Sequence, residues 1–207
     1  MNILLRLLAA LVLTMVLPSL PSAAADLPDG VKVGDVAPDF SLLNVDGKQL
    51  VLREQTTVKG LIVVFTCNHC PYSVKYEDRI NALDAKYREM GYAVIAINPN
   101  DTVAVPEDSY PKMIERARTK KFTFPYLIDA TQNVAKAYGA RRTPHVYVLS
   151  RQKNNFRVEY IGAIDDAAEG TIGEKFVENA IDQLIAGKAP QTTFTKAVGC
   201  TIKWKKD

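Results

Sequence analysis

Cysteine is scarce in this sequence, and its count is odd: three among 207 residues, at Cys67, Cys70 and Cys200. An odd count leaves at least one thiol unpaired or engaged in chemistry. A framework of structural disulfides is not expected, because a chain of this length folds on its own core. Closing the short Cys67–Cys70 loop would also stabilise little. Excess charge is missing too, with a formal net of +3. Basic residues are scattered apart from the terminal "KWKK", and no Gly-rich loop is placed to cradle phosphate. Nucleic-acid and membrane-surface partners are therefore not expected. Internal repeats and low-complexity linkers are absent, which points to one domain.

The N-terminal "MNILLRLLAALVLTMVLPSLPSAAADLP" has one arginine and an apolar run from Leu7 to Leu17. Pro18, Pro21 and the small residues Ala23, Ala24 and Ala25 follow. This is the pattern of a secretory signal peptide over residues 1–25, cut after Ala25. The run is shorter than the roughly 20 residues that span a bilayer. No stable membrane insertion is expected after cleavage. No cysteine stands near the cut, so a lipid anchor there is excluded. The mature chain, 26–207, is expected outside the cytoplasm, in the periplasm, where disulfides persist.

Hydropathy alternates between strand and helix patterns. "DFSLLNVDGKQLVL" reads as two short strands around Asp46-Gly47. "GLIVVFT" and "YAVIAIN" are apolar almost throughout, as central parallel strands are. From Pro71 to Met90 the apolar positions Val74, Ile80, Leu83 and Tyr87 fit a helix, opened by Pro71 and ended by Gly91. "YPKMIERARTKK" reads as a helix capped by Asp108 or Ser109. "FPYLID" is a short extended piece, and "TQNVAKAYG" a short helix stopped by Gly139. "HVYVLS" and "RVEYIGAI" read as an antiparallel pair around "RQKNN". "EKFVENAIDQLIAG" is an amphipathic helix whose apolar face carries Phe176, Val177, Ala180, Ile181, Leu184 and Ile185. The tail, 188–207, has no strong period. The order implies an α/β class with a central mixed sheet flanked by helices.

Chemistry concentrates at "FTCNHCPY", where Cys67 and Cys70 bracket Asn68 and His69 between a buried strand and a helix. A CxxC in that setting is a thioredoxin-like redox signature. A helix N-terminus favours negative charge, so Cys67 is expected as an exposed, activated nucleophile. Cys70 is expected as the resolving thiol. His69, if protonated or donating a hydrogen bond, would add to the activation, or would simply face solvent at the helix start. Asn68 would help set the redox potential or merely cap the helix. Thr143-Pro144 precedes the late strand, and His145 beside it is either an ordinary strand residue or a contact to substrate or metal. Arg141, Arg142, Asp101, Asp165 and Asp166 read as solvated. Tyr72, Tyr76 and Tyr87 read as helix packing. In the tail, alternation from Val198 to Trp204 places Cys200 on the face of Val198, Ile202 and Trp204. That favours a buried packing role, with a third redox thiol as the alternative.

The motifs "VGDVAPDFSL", "FTCNHCPYSVKYEDRI", "INPND", "PEDS", "FPYLID", "AYGARRTPH", "YIGAIDD" and "GCTIKW" run from about Val33 to Lys205. Together they resemble the thioredoxin-fold superfamily, and within it the peroxiredoxin-like (redoxin, AhpC/TSA-related) proteins that carry a thioredoxin-style CxxC. The resemblance implies a thioredoxin-like fold, with Pro144 in cis facing the CxxC, and thiol–disulfide oxidoreductase chemistry. Its substrates would be disulfide-bearing proteins or small thiols, served by an unidentified redox partner and no cofactor. The chain departs from a peroxiredoxin, which has Pro-x-x-x-Thr-x-x-Cys. With the last cysteine at Cys70, Val63 replaces the proline and Cys67 the threonine. Thiol peroxidase activity is kept as an alternative. Classical thioredoxins also bury an acid in the strand before the CxxC, and "GLIVVFT" has none. Copper or zinc binding through Cys67, Cys70 and His69 or His145 is the remaining alternative. The spacing is tighter than the CxxxC plus distant histidine that thioredoxin-fold copper chaperones resemble.

Overall fold

The computed structural model describes residues 30–206. The expected signal peptide and its cleavage point lie outside them. The elements run β1 (Ser41–Asn44), β2 (Gln49–Val51), β3 (Gly60–Phe65), α1 (Pro71–Tyr87), β4 (Tyr92–Asn98), α2 (Tyr110–Thr119) and β5 (Tyr126–Ile128). They continue with α3 (Asn133–Tyr138), β6 (Arg142–Thr143), β7 (His145–Gln152), β8 (Asn155–Gly162), α4 (Phe176–Ile185) and β9 (Cys200–Thr201). Seven strands form one mixed sheet in the order β2-β1-β5-β4-β3-β7-β8, and β6 pairs with β9 in a second, two-stranded ribbon. β3, β4 and β5 are parallel neighbours, and β7 lies antiparallel to β3. This is the thioredoxin-like α/β architecture.

Every residue of β3 is buried, because both faces of the sheet are covered. Ile62 and Val64 pack into one cluster with Tyr76, Ile80, Leu83 and Tyr87 of α1 and Val177 and Ile181 of α4. Leu61, Val63 and Phe65 face the other way, toward Phe40, Leu52, Ala135 and Tyr138. The period-2 alternation of a strand thus splits one apolar run between two cores. Gly60 starts β3 where no side chain fits, since a Cβ there would stand 2.2 Å from the Tyr92 ring and 2.3 Å from the Leu149 carbonyl oxygen. Gly60→Ala is expected to cost about 1–3 kcal/mol through overpacking, read as a lower urea midpoint at unchanged slope.

Local departures from the expected pattern have local causes. The buried stripe of α1 is Tyr76, Ile80, Leu83 and Tyr87. Val74, two residues from Tyr76, turns toward the opposite side of the helix and is exposed. Ile185, the last residue of α4, is exposed although it follows the buried Ile181 by four positions. Of the tyrosines, Tyr76 and Tyr87 are buried, whereas Tyr72 is exposed. The β7–β8 hairpin is longer than expected, with Gln152 paired to Asn155 and only Lys153 and Asn154 in the turn. Lys153 takes a φ of 52° there. Asp165 is not solvated: it is buried, accepts from the Tyr76 hydroxyl at 2.7 Å, and pairs with Arg79 at 2.8 Å. Ser109 stands at the N-cap of α2, but no side chain caps that helix. The tail is ordered on the body. Phe194 bridges to Ile161, and β9 pairs with β6.

Candidate active site

β3 ends at Phe65, and two residues later the chain reaches Cys67. Cys70 is the N-cap residue of α1, with extended backbone angles (φ −66°, ψ 122°), and Pro71 opens the helix. Phe65 pairs with His145 across β3 and β7. That register sets the Thr143-Pro144 bond, which is cis, against the CxxC. The Cys67 sulfur lies 3.4 Å from Thr143 Oγ1, and the Cys70 sulfur 3.1 Å from the Thr143 carbonyl oxygen. Cysteines and Thr-Pro, separate in the sequence, are therefore one site.

Two expectations for the thiols are corrected. Cys67 is not exposed: only 2% of its surface is open, because Thr143, Ser73 and His69 close over it. Nor is its thiol pKa lowered in this disulfide-bonded form. Burial first, and then the negative charge of Asp108, push its pKa up. Hydrogen bonds from Thr143, the Cys70 backbone N–H and Ser73 pull the other way without prevailing. The helix dipole is thus outweighed by desolvation and a neighbouring carboxylate.

Cys200 is not a packing residue. It forms a disulfide with Cys70 across 130 residues, with the Cα atoms 6.0 Å apart. Alternation in the tail misled because it stops short of the ends: Ile202 is buried, but Val198 is exposed. The bond has non-covalent support on both sides. Cys200 pairs with Thr143 in the β6–β9 ribbon. The Arg142 guanidinium donates to the Gly199 carbonyl at 3.1 Å. Further on, Lys203 N–H donates to Asn100 Oδ1 at 2.8 Å, and Gln132 Nε2 donates to the Lys203 carbonyl at 2.9 Å. Gly199 is where the tail comes closest, since a Cβ there would stand 2.2 Å from the Thr143 carbonyl oxygen.

Asn68 does not cap α1. Its backbone N–H donates to Asp108 Oδ1 at 2.7 Å, its amide nitrogen donates to the Glu107 carbonyl at 2.8 Å, and its Oδ1 accepts from the Tyr126 hydroxyl at 3.0 Å. His69 Nδ1 stands 2.6 Å from Asp108 Oδ2 and 3.6 Å from the Cys67 sulfur. The ring is partly covered rather than solvated. Asp108, read from the sequence as a helix cap, instead turns inward and is fully buried. The signal available for it was "PEDS", a motif whose role in the site no local pattern reveals.

His145 lies apart from this constellation. Its Nδ1 is buried with no hydrogen-bond partner, and its ring centre is 4.9 Å from that of Tyr147. Burial lowers its pKa from 6.5 to about 4. The unfolded chain therefore takes up a proton below about pH 6.5 that the folded chain refuses until about pH 4. Stability falls as pH drops through that window, by about 3 kcal/mol. Urea unfolding at stepped pH should show this loss in the wild type, with a shallower slope in His145→Phe. Arg141 and Arg142 are exposed at the rim.

Among the described residues, the donor atoms of Cys67, His69 and Asp108 gather within 4.8 Å of one another. The 2.6 Å between Nδ1 and Oδ2 is shorter than the roughly 3.3 Å between two ligands of a tetrahedral zinc ion. The arrangement is that of a hydrogen-bond chain. The copper or zinc set weighed as an alternative needs Cys67, Cys70 and a histidine; of these Cys67 and His69 are gathered, while Cys70 is bonded to Cys200 and His145 is not among the gathered donors.

Residues 33–161 match the AhpC/TSA family. The thiol–disulfide oxidoreductase ResA of Halalkalibacterium halodurans is 28% identical over 138 residues, which cover 67% of this chain and 74% of that protein. A hypothetical protein of Sinorhizobium meliloti 1021 has a crystal structure that superposes with a TM-score of 0.80. It is 34% identical and covers 86% of this chain and 97% of that one. A thiol:disulfide interchange protein DsbE from Chlorobium tepidum, at 20% identity and a TM-score of 0.57, shares the fold over 76% of this chain and 98% of its own. Among the described residues, no helix is long and apolar enough to cross a membrane.

Proposed function

Since the chain belongs to the AhpC/TSA family, we propose that it is an exported thiol–disulfide oxidoreductase acting through Cys67 and Cys70 on disulfides of proteins or small molecules. The observation that carries this reading is the meeting of both sulfurs at Thr143, beside a cis proline and at the start of a helix. The likeness to a ResA protein supports the chemistry. The signal-peptide pattern supports export to the periplasm.

In the reduced protein, Cys67 thiolate attacks a substrate disulfide. A bond forms from Cys67 to one substrate sulfur, and the other leaves as a thiolate. Cys70 thiolate then attacks the Cys67 sulfur and releases the second substrate thiolate. The substrate has gained two electrons, and the protein holds a Cys67–Cys70 disulfide. Cys200, kept in place by the tail's anchors, attacks the Cys70 sulfur in turn and frees Cys67. The product is the Cys70–Cys200 disulfide seen here. An external dithiol partner returns the two electrons. Thr143 and Pro144 shape the floor of the site, and Asn68 and His69 hold the loop that carries Cys67.

The test is insulin reduction driven by dithiothreitol, with residues 26–207 as catalyst. Acceleration over dithiothreitol alone is expected, and its loss when Cys67 and Cys70 are both serine. An inactive wild type, or a double variant that keeps the acceleration, overturns the reading.

A further inference from the structure

A cavity of about 300 Å³ adjoins the segment that carries Thr143-Pro144, and the thiol chemistry makes no use of it. Its volume lies at the small end of the range for small-molecule sites. The end of α3, the start of β7, the end of β8 and the tail enclose it, and Arg142 and His145, which flank Thr143-Pro144 in the chain, both line it. The floor is aromatic: the rings of Tyr138 and Tyr147 cross at 89° with 5.2 Å between their centres. Both phenols are already engaged. Tyr147 donates to the Tyr138 carbonyl at 2.9 Å and Tyr138 to the Pro38 carbonyl at 3.0 Å, which leaves the rings as apolar surface. Phe194 forms a lip. Thr193 and Thr195 on either side of it are bonded to the Ile161 backbone, so the ring is held at the cavity although 66% of the residue is exposed. An apolar ligand would remove that ring from water, which is favourable.

The mouth is cationic. Arg141, Arg142 and Lys196 line the cavity, and no carboxylate does. All three are exposed, and among the described residues none of them forms an ion pair. The cavity between α1 and α4 differs in this respect. Its cations Arg79, Lys86 and Lys175 are all paired, with Asp165 and Glu178. Clustered like charges without a counter-charge attract an anion. His145 adds a polar point to the lining. Its Nδ1 is the one buried side-chain nitrogen or oxygen without a partner among the described residues, and such a group is costly to leave unpaired. Burial keeps the ring neutral at neutral pH, so the attraction for an anion comes from the arginines and the lysine, and Nδ1 stays free for a hydrogen bond.

We propose that this cavity binds a small organic anion with an aromatic body, the ring seated between Phe194 and the Tyr138–Tyr147 floor and the acid group among Arg141, Arg142 and Lys196. His145 Nδ1 bonds a polar atom of the ligand body. Charge selects an anion over a neutral or cationic molecule of the same shape, and the aromatic floor and lip select a ring over an inorganic anion. The site does not depend on the thiols. Its walls include the tail residues Phe194 and Lys196, and the tail is anchored to the body by the Asn100 and Gln132 hydrogen bonds as well as by the disulfide.

The experiment titrates residues 26–207 with the fluorescent aromatic anion anilinonaphthalene sulfonate. A single saturable site is expected, with a Kd on the order of tens of micromolar for a ligand of that size. Phenylnaphthylamine, the same body without the sulfonate, should bind about fivefold more weakly or worse. Arg141→Gln combined with Lys196→Gln should weaken the sulfonate by about fivefold and leave the uncharged probe unchanged. Neither side chain bonds to another group among the described residues, so this variant keeps its fold. Phe194→Ala should weaken both probes. In amide NMR spectra the sulfonate should shift Gly139, Arg142 and Lys196. Absence of saturable binding, equal affinity for the two probes, unchanged sulfonate affinity in the double variant, or unmoved signals at those three amides each overturns the proposal. Cys67→Ser should bind the probe as the wild type does, so failure of this site and failure of the oxidoreductase reading are separate results.

Discussion

Cys67→Ser is expected to bring insulin reduction down to the background rate of dithiothreitol alone, while Cys70→Ser should trap substrate on the protein. The two effects differ because the two sulfurs hold different positions. Cys67 lies between Thr143, Ser73 and the His69 ring, with hydrogen-bond donors arranged to receive a thiolate. Serine at that position offers an alkoxide far too basic to form, so no mixed disulfide can begin. Cys70 sits at the helix cap, with its sulfur over the Thr143 carbonyl. Without it the first exchange still occurs, but the resolving attack is lost, and one substrate chain per protein should stay bonded to Cys67. Mass spectrometry of acid-quenched mixtures distinguishes these outcomes. A stable adduct on Cys70 in Cys67→Ser would reverse the roles.

The second large effect concerns the tail. Under oxidising conditions Cys200→Ser should lower unfolding stability by about 4 kcal/mol, near the upper end for single disulfides because the loop closed is long. The sequence separation is 130 residues. In dithiothreitol the variant and the wild type should differ by less than about 1 kcal/mol, since the serine loses only a partly buried sulfur. Anchors at Asn100 and Gln132 keep the tail docked in both states. Gly199→Ala should lose stability in both conditions, because its Cβ meets the Thr143 carbonyl whether or not the disulfide is present. Denaturant titrations with and without dithiothreitol separate the covalent part from the packing part.

These predictions draw on features of unequal legibility. β3 and β4 could be read directly, because strands buried on both faces are apolar at nearly every position. The CxxC and Thr143-Pro144 could be read as motifs, and the fold brings them together through the Phe65–His145 register. Burial of Cys67 could not be read, since it results from β6 and α1 closing over the loop from opposite sides. Asp108 was hidden by its own plausibility: an acid just before a helix is an ordinary cap, and only the path of the loop after β4 turns it toward His69. Cys200 was hidden by a two-residue strand, too short for alternation to establish a face. Local patterns carried the elements, and long-range contacts carried the chemistry.

The most direct measurement is an acid-trapped disulfide map of residues 26–207, equilibrated across a series of oxidised-to-reduced dithiothreitol ratios. Cys67 and Cys70 acting as one redox couple, with Cys200 exchanging onto Cys70, predicts two species in redox equilibrium: Cys70–Cys200 and Cys67–Cys70. The second should also be the single disulfide formed by Cys200→Ser. A Cys67 that stays a free thiol at every ratio, in both proteins, would contradict the account.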